Sequence, residues 1–204
     1  MARTLSAPAV IRKAIEVGAV PAVAEVARKG GASWSAGDFT YKAWIWKDHS
    51  GGLTWDLYVG DAKFGPQMEE YGGLAVTIRG ANSSIPWPSS TDASLATFLQ
   101  DGLGRAARFV TDRRDLATLL ASREGVHRGD FFAWLPLANY PARLVEALIL
   151  SRDIGDPDLE SQILSELQGG PISLSNGRSL EILDTARSWA KDYSTALGFD
   201  VPIY

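Results

Sequence analysis

The chain has 204 residues, 46% hydrophobic and 22% charged, an ordinary globular composition that can bury one core of α/β or α+β type and is unlike disordered or fibrous chains. Twenty basic against 24 acidic residues leave a net charge of −4, which speaks against a general binder of the nucleic-acid backbone. With no cysteine there is no disulfide framework, no thiolate nucleophile and no cysteine metal site.

The first predicted element is a helix over Ala7–Val17. Val10, Ile11, Ala14 and Ile15 recur at helical spacing, Ser6 stands at the N-cap position and Pro8 is tolerated in the first turn. Gly18 and Pro21 break it, and residues 21–29 are expected to resume as a second short helix closed by Gly30 and Gly31. Small residues near the N-terminus resemble a cleavage site, but Arg12, Lys13 and Glu16 interrupt the apolar run that a signal peptide needs. No stretch approaches the roughly 20 apolar residues that span a bilayer. The expectation is a soluble, cytoplasmic protein without a membrane partner.

The period then changes from helical to alternating. Phe39–Lys47, Leu53–Gly60 and Leu74–Arg79 are rich in aromatic and β-branched residues, so three strands are predicted. The first two flank the turn DHSGG, where glycine is available for positive φ. If Lys47 opposes Leu53, one face carries Tyr41, Ala43, Ile45, Trp55, Leu57 and Val59. The other carries Lys42, Trp44, Trp46, Thr54, Asp56 and Tyr58. A slip by one residue would mix the faces, so the apolar pattern supports this register. A third strand adds Leu74, Val76 and Ile78 to the apolar face, and Thr77 and Arg79 to the mixed one.

Residues 80–91, GANSSIPWPSST, are turn-rich and aperiodic and are expected to form a connecting loop. Within it Pro86 and Pro88 preset the direction of Trp87, which either plugs the mixed face or anchors a partner. Five amphipathic helices follow, over Asp92–Gln100, Asp112–Arg123, Pro141–Arg152, Pro157–Gln168 and Ser179–Leu197. Asp156 is a good cap for the fourth, and Gly198 for the left-handed end of the fifth. Residues 125–138 fit a strand or a buried loop.

The predicted architecture is a single α+β domain over residues 1–204. A helix-plus-sheet part over 1–79 is followed by the 80–91 loop and a helical part over 92–204. N-terminal helices, a mostly antiparallel sheet of three or more strands and a C-terminal helical layer on the sheet's apolar face complete it.

The surface with chemical character is the mixed face, where Lys42, Trp44, Trp46, Asp56, Tyr58, Thr77 and Arg79, with Trp87 nearby, interleave flat aromatic area with both signs of charge. Such a patch suits recognition of a protein or a sugar. The competing reading is that a helix or the 80–91 loop covers the tryptophan pair as a second small core, since large aromatics are more often buried than displayed. GLGRAA at 102–107 formally fits a dinucleotide fingerprint, but its leader has a helical period, so a helix stop and restart is expected instead of a nucleotide site. His49 and His127 are far apart and show no ligand spacing, so no metal and no cofactor are expected. An acid–base pair drawn from Asp56, Asp61, Glu69 and Glu70 competes with the ordinary fate of loop carboxylates, which is solvation. No catalytic signature is present, and the weight falls on a non-catalytic protein.

The aromatic hairpin FTYKAWIW…LTWDLYVG and the helical YPARLVEALILSRDIGDPDLESQIL, following an N-terminal helix, resemble a loosely defined group of bacterial α+β domains of unknown function. Some members of such groups are immunity proteins encoded beside secreted toxins. The resemblance implies a binding role. Residues 131–204 carry five basic residues, Arg143, Arg152, Arg178, Arg187 and Lys191, against ten acidic ones, which would suit a basic, toxin-like protein partner. A small-ligand or carbohydrate-binding domain using Trp44, Trp46 and Tyr58, and an enzyme of unrecognised type using Asp56, are the alternatives.

Overall fold

Pro8 near its start and Gly18 just past its end bracket the first helix, α1 (Ala7–Glu16), in a computed structural model that describes residues 4–80, 84–89 and 91–203. Ser6 precedes the helix, and its backbone carbonyl, not its hydroxyl, accepts from the first amides.

The stretch expected to resume as a helix forms a strand instead. β1 (Glu25–Ala27) pairs antiparallel with β2 (Gly31–Ala36), with Glu25 opposite Ser33 and Ala27 opposite Gly31. Gly30, at φ +88°, closes this turn, and a Cβ there would stand 2.4 Å from that of Ala7, so the position demands glycine for both reasons. The two-residue turn Gly37-Asp38 leads into β3 (Phe39–Lys47), with Ala36 opposite Phe39. β3 turns into β4 (Gly52–Asp61) around Asp48, whose carboxylate accepts from the hydroxyls of Ser50 and Ser84 and the amides of Gly52 and Ser50. These hydrogen bonds hold Asp48 far below the usual carboxylate range.

β5 (Ala75–Gly80) follows, and β6 (Ile85–Pro86) pairs with the start of β4, so part of the expected loop is strand. Residues 81–83 and 90 of that loop lie outside the described residues. α2 (Ser94–Leu99) passes without a stop into a π-helical turn at Gln100–Gly104. The ambiguous stretch 125–138 resolves as two short strands, β7 (Val126–Arg128) and β8 (Phe131–Trp134), around Gly129 at φ +58°. The resulting mostly antiparallel sheet has the order β1-β2-β3-β4-β5-β8-β7, with β6 beside β4, and the fold is α+β.

The chain forms two compact units, each assembled from three stretches. The first comprises Met1–Val59, Thr77–Val110 and His127–Ala133. Its core is the apolar face of the strands, with Ala43, Ile45, Leu53, Trp55 and Leu57 buried, and α1 packs on β1, β2 and β3 while burying Val10, Ile11 and Ala14. Trp34 stacks on Tyr41 with ring centroids 5.1 Å apart. Each large apolar side chain so buried contributes about 1.5–3 kcal/mol before the entropy of ordering is subtracted.

The second unit comprises Gly60–Val76, Thr111–Val126 and Trp134–Tyr204. It holds α3 (Arg113–Ala121), α4 (Tyr140–Ile154), α5 (Pro157–Leu167), the small ribbon of β9 (Ile172–Ser173) and β10 (Ser179–Leu180), and α6 (Ile182–Leu197). The predicted last helix is therefore shorter at its start, where Ser179 and Leu180 pair with β9. Asp112 and Asp156 cap α3 and α5, accepting from the amides of Asp115 and Leu159.

α3, α5 and α6 all pack on α4. Instead of showing one apolar stripe, α4 is buried at every residue from Tyr140 to Ser151, as a central helix must be. That placement takes Arg143 and Glu146 inside. Arg143 donates from Nη1 to the carbonyls of Leu120 and Ser122 at 3.0 and 2.7 Å, and Glu146 accepts from the Tyr193 hydroxyl at 3.0 Å. Among the described residues no helix is long and apolar enough to cross a membrane.

Candidate functional site

Alternation along β3 turns Tyr41, Ala43 and Ile45 into the core and leaves Lys42, Trp44 and Trp46 on the opposite face. Trp44 is 40% exposed and Trp46 37%, so the chain does not seal the indole pair. β4 does the same with Leu53, Trp55, Leu57 and Val59 inside and Tyr58 outside, 39% exposed. The three aromatics expected on the mixed face are thus displayed together there.

Asp56 and Thr77 belong to this face by alternation but are buried, which corrects the expectation that they form part of its exposed surface. For Asp56 the cause is Arg79 on β5. Its guanidinium donates Nε to Oδ1 at 2.8 Å and Nη2 to Oδ2 at 3.0 Å, a bidentate pair across neighbouring strands. Proton transfer by Asp56 would have to break that pair.

The neighbouring strands complete the surface with residues that the sequence reading did not single out. Gly31 lies opposite Trp44, Ser33 opposite Lys42 and Ser35 opposite Thr40, so β2 presents only small side chains here. The indole of Trp44 lies against Gly31, where a Cβ would stand 2.7 Å from two of its ring atoms. On β8, Phe131 reaches the side of Trp55, with ring centroids 6.1 Å apart, so alternation puts Phe132 on the mixed face. His127 of β7 stacks on Phe132 at 5.4 Å and 22°. The face therefore carries an aromatic series over β3, β4, β8 and β7, with the Asp56–Arg79 pair on β4 and β5.

Trp87 has a different employment. Its Nε1 donates to the Leu5 carbonyl at 2.8 Å, Leu5 in turn donates to Pro88, and Thr4 bridges Ser89, so the Pro-Trp-Pro segment clasps the N-terminal strand of chain. The ammonium of Lys47 sits 5.0 Å from the centroid of the Trp87 ring. Asp61 is not a solvated loop carboxylate either. It is fully buried and accepts from the amides of Lys63 and Phe64 and from Arg113 Nε at 2.6 Å.

Among the described residues no group of three or more His, Asp or Glu side chains is placed to hold a metal ion. No protein family, no curated protein and no solved structure matches this chain. The face presents broad aromatic planes, the exposed Lys42, the paired Asp56 and Arg79, and small hydroxyls.

Proposed function

We propose that this chain is a non-catalytic binding protein that recognises a protein partner through the open face of its sheet, with a cytoplasmic immunity or antitoxin-like role as the sharpest form of that reading. The observation that carries it is the joint exposure of Trp44, Trp46 and Tyr58 on the face that also holds Arg79 in its bidentate pair. Tryptophan, tyrosine and arginine dominate the energetics of protein interfaces because they bring large contact area with few rotors to immobilise. Burying them against a partner recovers apolar area that the monomer leaves in water.

Charge supports a basic partner. The first unit carries eleven basic and eight acidic residues, whereas the second carries nine basic and sixteen acidic ones. The acidic excess belongs to the second unit and includes buried Asp61 and Glu146, whereas the proposed face lies in the first, so a cationic partner would be drawn by the net charge of −4 of the whole chain and not by charges on the face itself. Purification from the native host at low salt, with identification of bound proteins, tests the reading: a stoichiometric basic partner is expected, and recovery of none counts against it.

The position of Trp44 against Gly31 favours one other reading, a carbohydrate-binding face in which indoles stack on sugar rings. Titration of the intrinsic fluorescence with a sugar panel separates the two, since a spectrum unchanged by every sugar removes the carbohydrate reading.

A further inference from the structure

The GLGRAA stretch lies in the first unit, and its surroundings exclude the phosphate ligand that its pattern formally matches. α2 enters it as a helix, and Gln100–Gly104 widens into a π-turn, a distortion that recurs at functional sites. Gly102 is there for close approach: a Cβ would stand 2.8 Å from Nε1 of Trp55, an indole only 1% exposed whose N–H has no hydrogen-bond partner among the described residues. Beside this turn opens a cleft of ≈ 500 Å³, within the range of small-molecule sites.

Half-buried Phe98 and buried Phe131 supply its apolar walls, while Gly80, Gly102 and Gly129 line it without side chains of their own. Ser84 and Ile85 also line it, and its three charged residues are Asp101, Arg105 and Asp130. The Arg105 guanidinium reaches Asp130 at 3.3 Å and lies 5.6 Å from the centroid of Phe131, so one carboxylate is balanced. Asp101 then leaves the lining with one net negative charge. A pyrophosphate would meet repulsion there, whereas a cation would meet a carboxylate beside aromatic rings.

We propose that this cleft binds a small organic cation, an ammonium or guanidinium on an aromatic or short apolar body, with the body between Phe98 and Phe131 and the charge beside Asp101. The site stands independently of the sheet face, and either can fail without the other.

The experiment titrates the 15N-labelled full chain with benzylamine, and with benzyl alcohol and benzoate as neutral and anionic counterparts of similar size. The amide signals of Gly80, Gly102 and Gly129 are followed. Benzylamine is expected to shift them saturably with Kd of about 1 mM, as suits so small a ligand, with benzyl alcohol weaker and benzoate silent. Asp101→Asn changes an exposed side chain and is expected to weaken benzylamine about three- to fivefold, the scale of an exposed charge pair. Asp101→Asn/Asp130→Asn leaves Arg105 as the one charge of the lining and is expected to reverse the preference in favour of benzoate. Absence of saturable shifts with benzylamine, equal affinity for the three probes, or undiminished benzylamine affinity in both variants would overturn the proposal.

Discussion

Arg79 closes on Asp56 from the adjacent strand, with both carboxylate oxygens engaged at 2.8 and 3.0 Å and the aspartate only 7% exposed. The pair lets a charged residue sit within a sheet face without facing bulk water. Asp56→Ala is expected to destabilise the fold by about 1–3 kcal/mol, because it leaves a partly buried guanidinium short of its acceptor. Asp56→Ala/Arg79→Met should recover a good part of that loss. Urea denaturation of the two single variants and the double variant measures the coupling.

The tryptophans of one hairpin should divide into two classes. Trp55 is buried on the core side, and Trp55→Ala is expected to cost about 3–5 kcal/mol. Trp44→Ser and Trp46→Ser change half-exposed side chains and should each cost under about 1 kcal/mol. Thermal unfolding of the three variants compares them directly.

In the second unit, Arg113 bridges buried Asp61 at 2.6 Å and Asp153 at 2.7 Å. Arg113→Ala strands the Asp61 carboxylate in the interior, and a loss of about 3–5 kcal/mol is expected. Asp61→Asn introduced alongside it should restore part of the stability, read from the same urea midpoints.

How much of this was legible in the sequence depends on the physical signal each element carries. β3, β4 and β5 were readable to within a residue or two because Tyr41, Ala43 and Ile45, then Trp55, Leu57 and Val59, then Val76 and Ile78 alternate strictly. β2 was not read, because glycine, serine and alanine carry little strand propensity. Its available signal was Trp34 in step with Ala32, ahead of the two-residue turn Gly37-Asp38. The second short helix was misread because Gly30 looks like a helix end and serves a hairpin turn.

For the site, alternation gives the side of the sheet and not the depth, so Trp44, Trp46 and Tyr58 were assigned to the mixed face while their exposure, 37–40% in the structure, was not legible. Asp56 was assigned to the same side with no sign that Arg79 would cover it. Phe132 and His127 lie on strands of four and three residues, too short for a period to declare itself. Gly102 was read as a helix breaker because glycine's local cost is visible in sequence and its packing against Trp55 is not.

Glu146 makes stability depend on pH. Burial pushes its carboxyl up to about 8, against the opposing effects of the Tyr193 hydroxyl and the Arg143 charge. A carboxyl raised above its unfolded value contributes its full stability below its ordinary pKa near 4.5 and loses it as pH rises through about 8. The wild-type chain should therefore weaken between pH 5 and pH 9 by an amount on the order of 2–4 kcal/mol from this group. Glu146→Gln keeps an acceptor for Tyr193 and should flatten that decline, matching the wild type near pH 5 and exceeding it at pH 9. Denaturant midpoints across the range provide the check.

The central claim, that the open sheet face is a recognition surface, is tested most directly by using the wild-type chain and Trp44→Ser/Trp46→Ser, matched for stability, as paired baits in extracts of the native host. The account predicts a stoichiometric protein retained by the wild type and reduced at least tenfold on the double variant. Equal retention by both baits would contradict it.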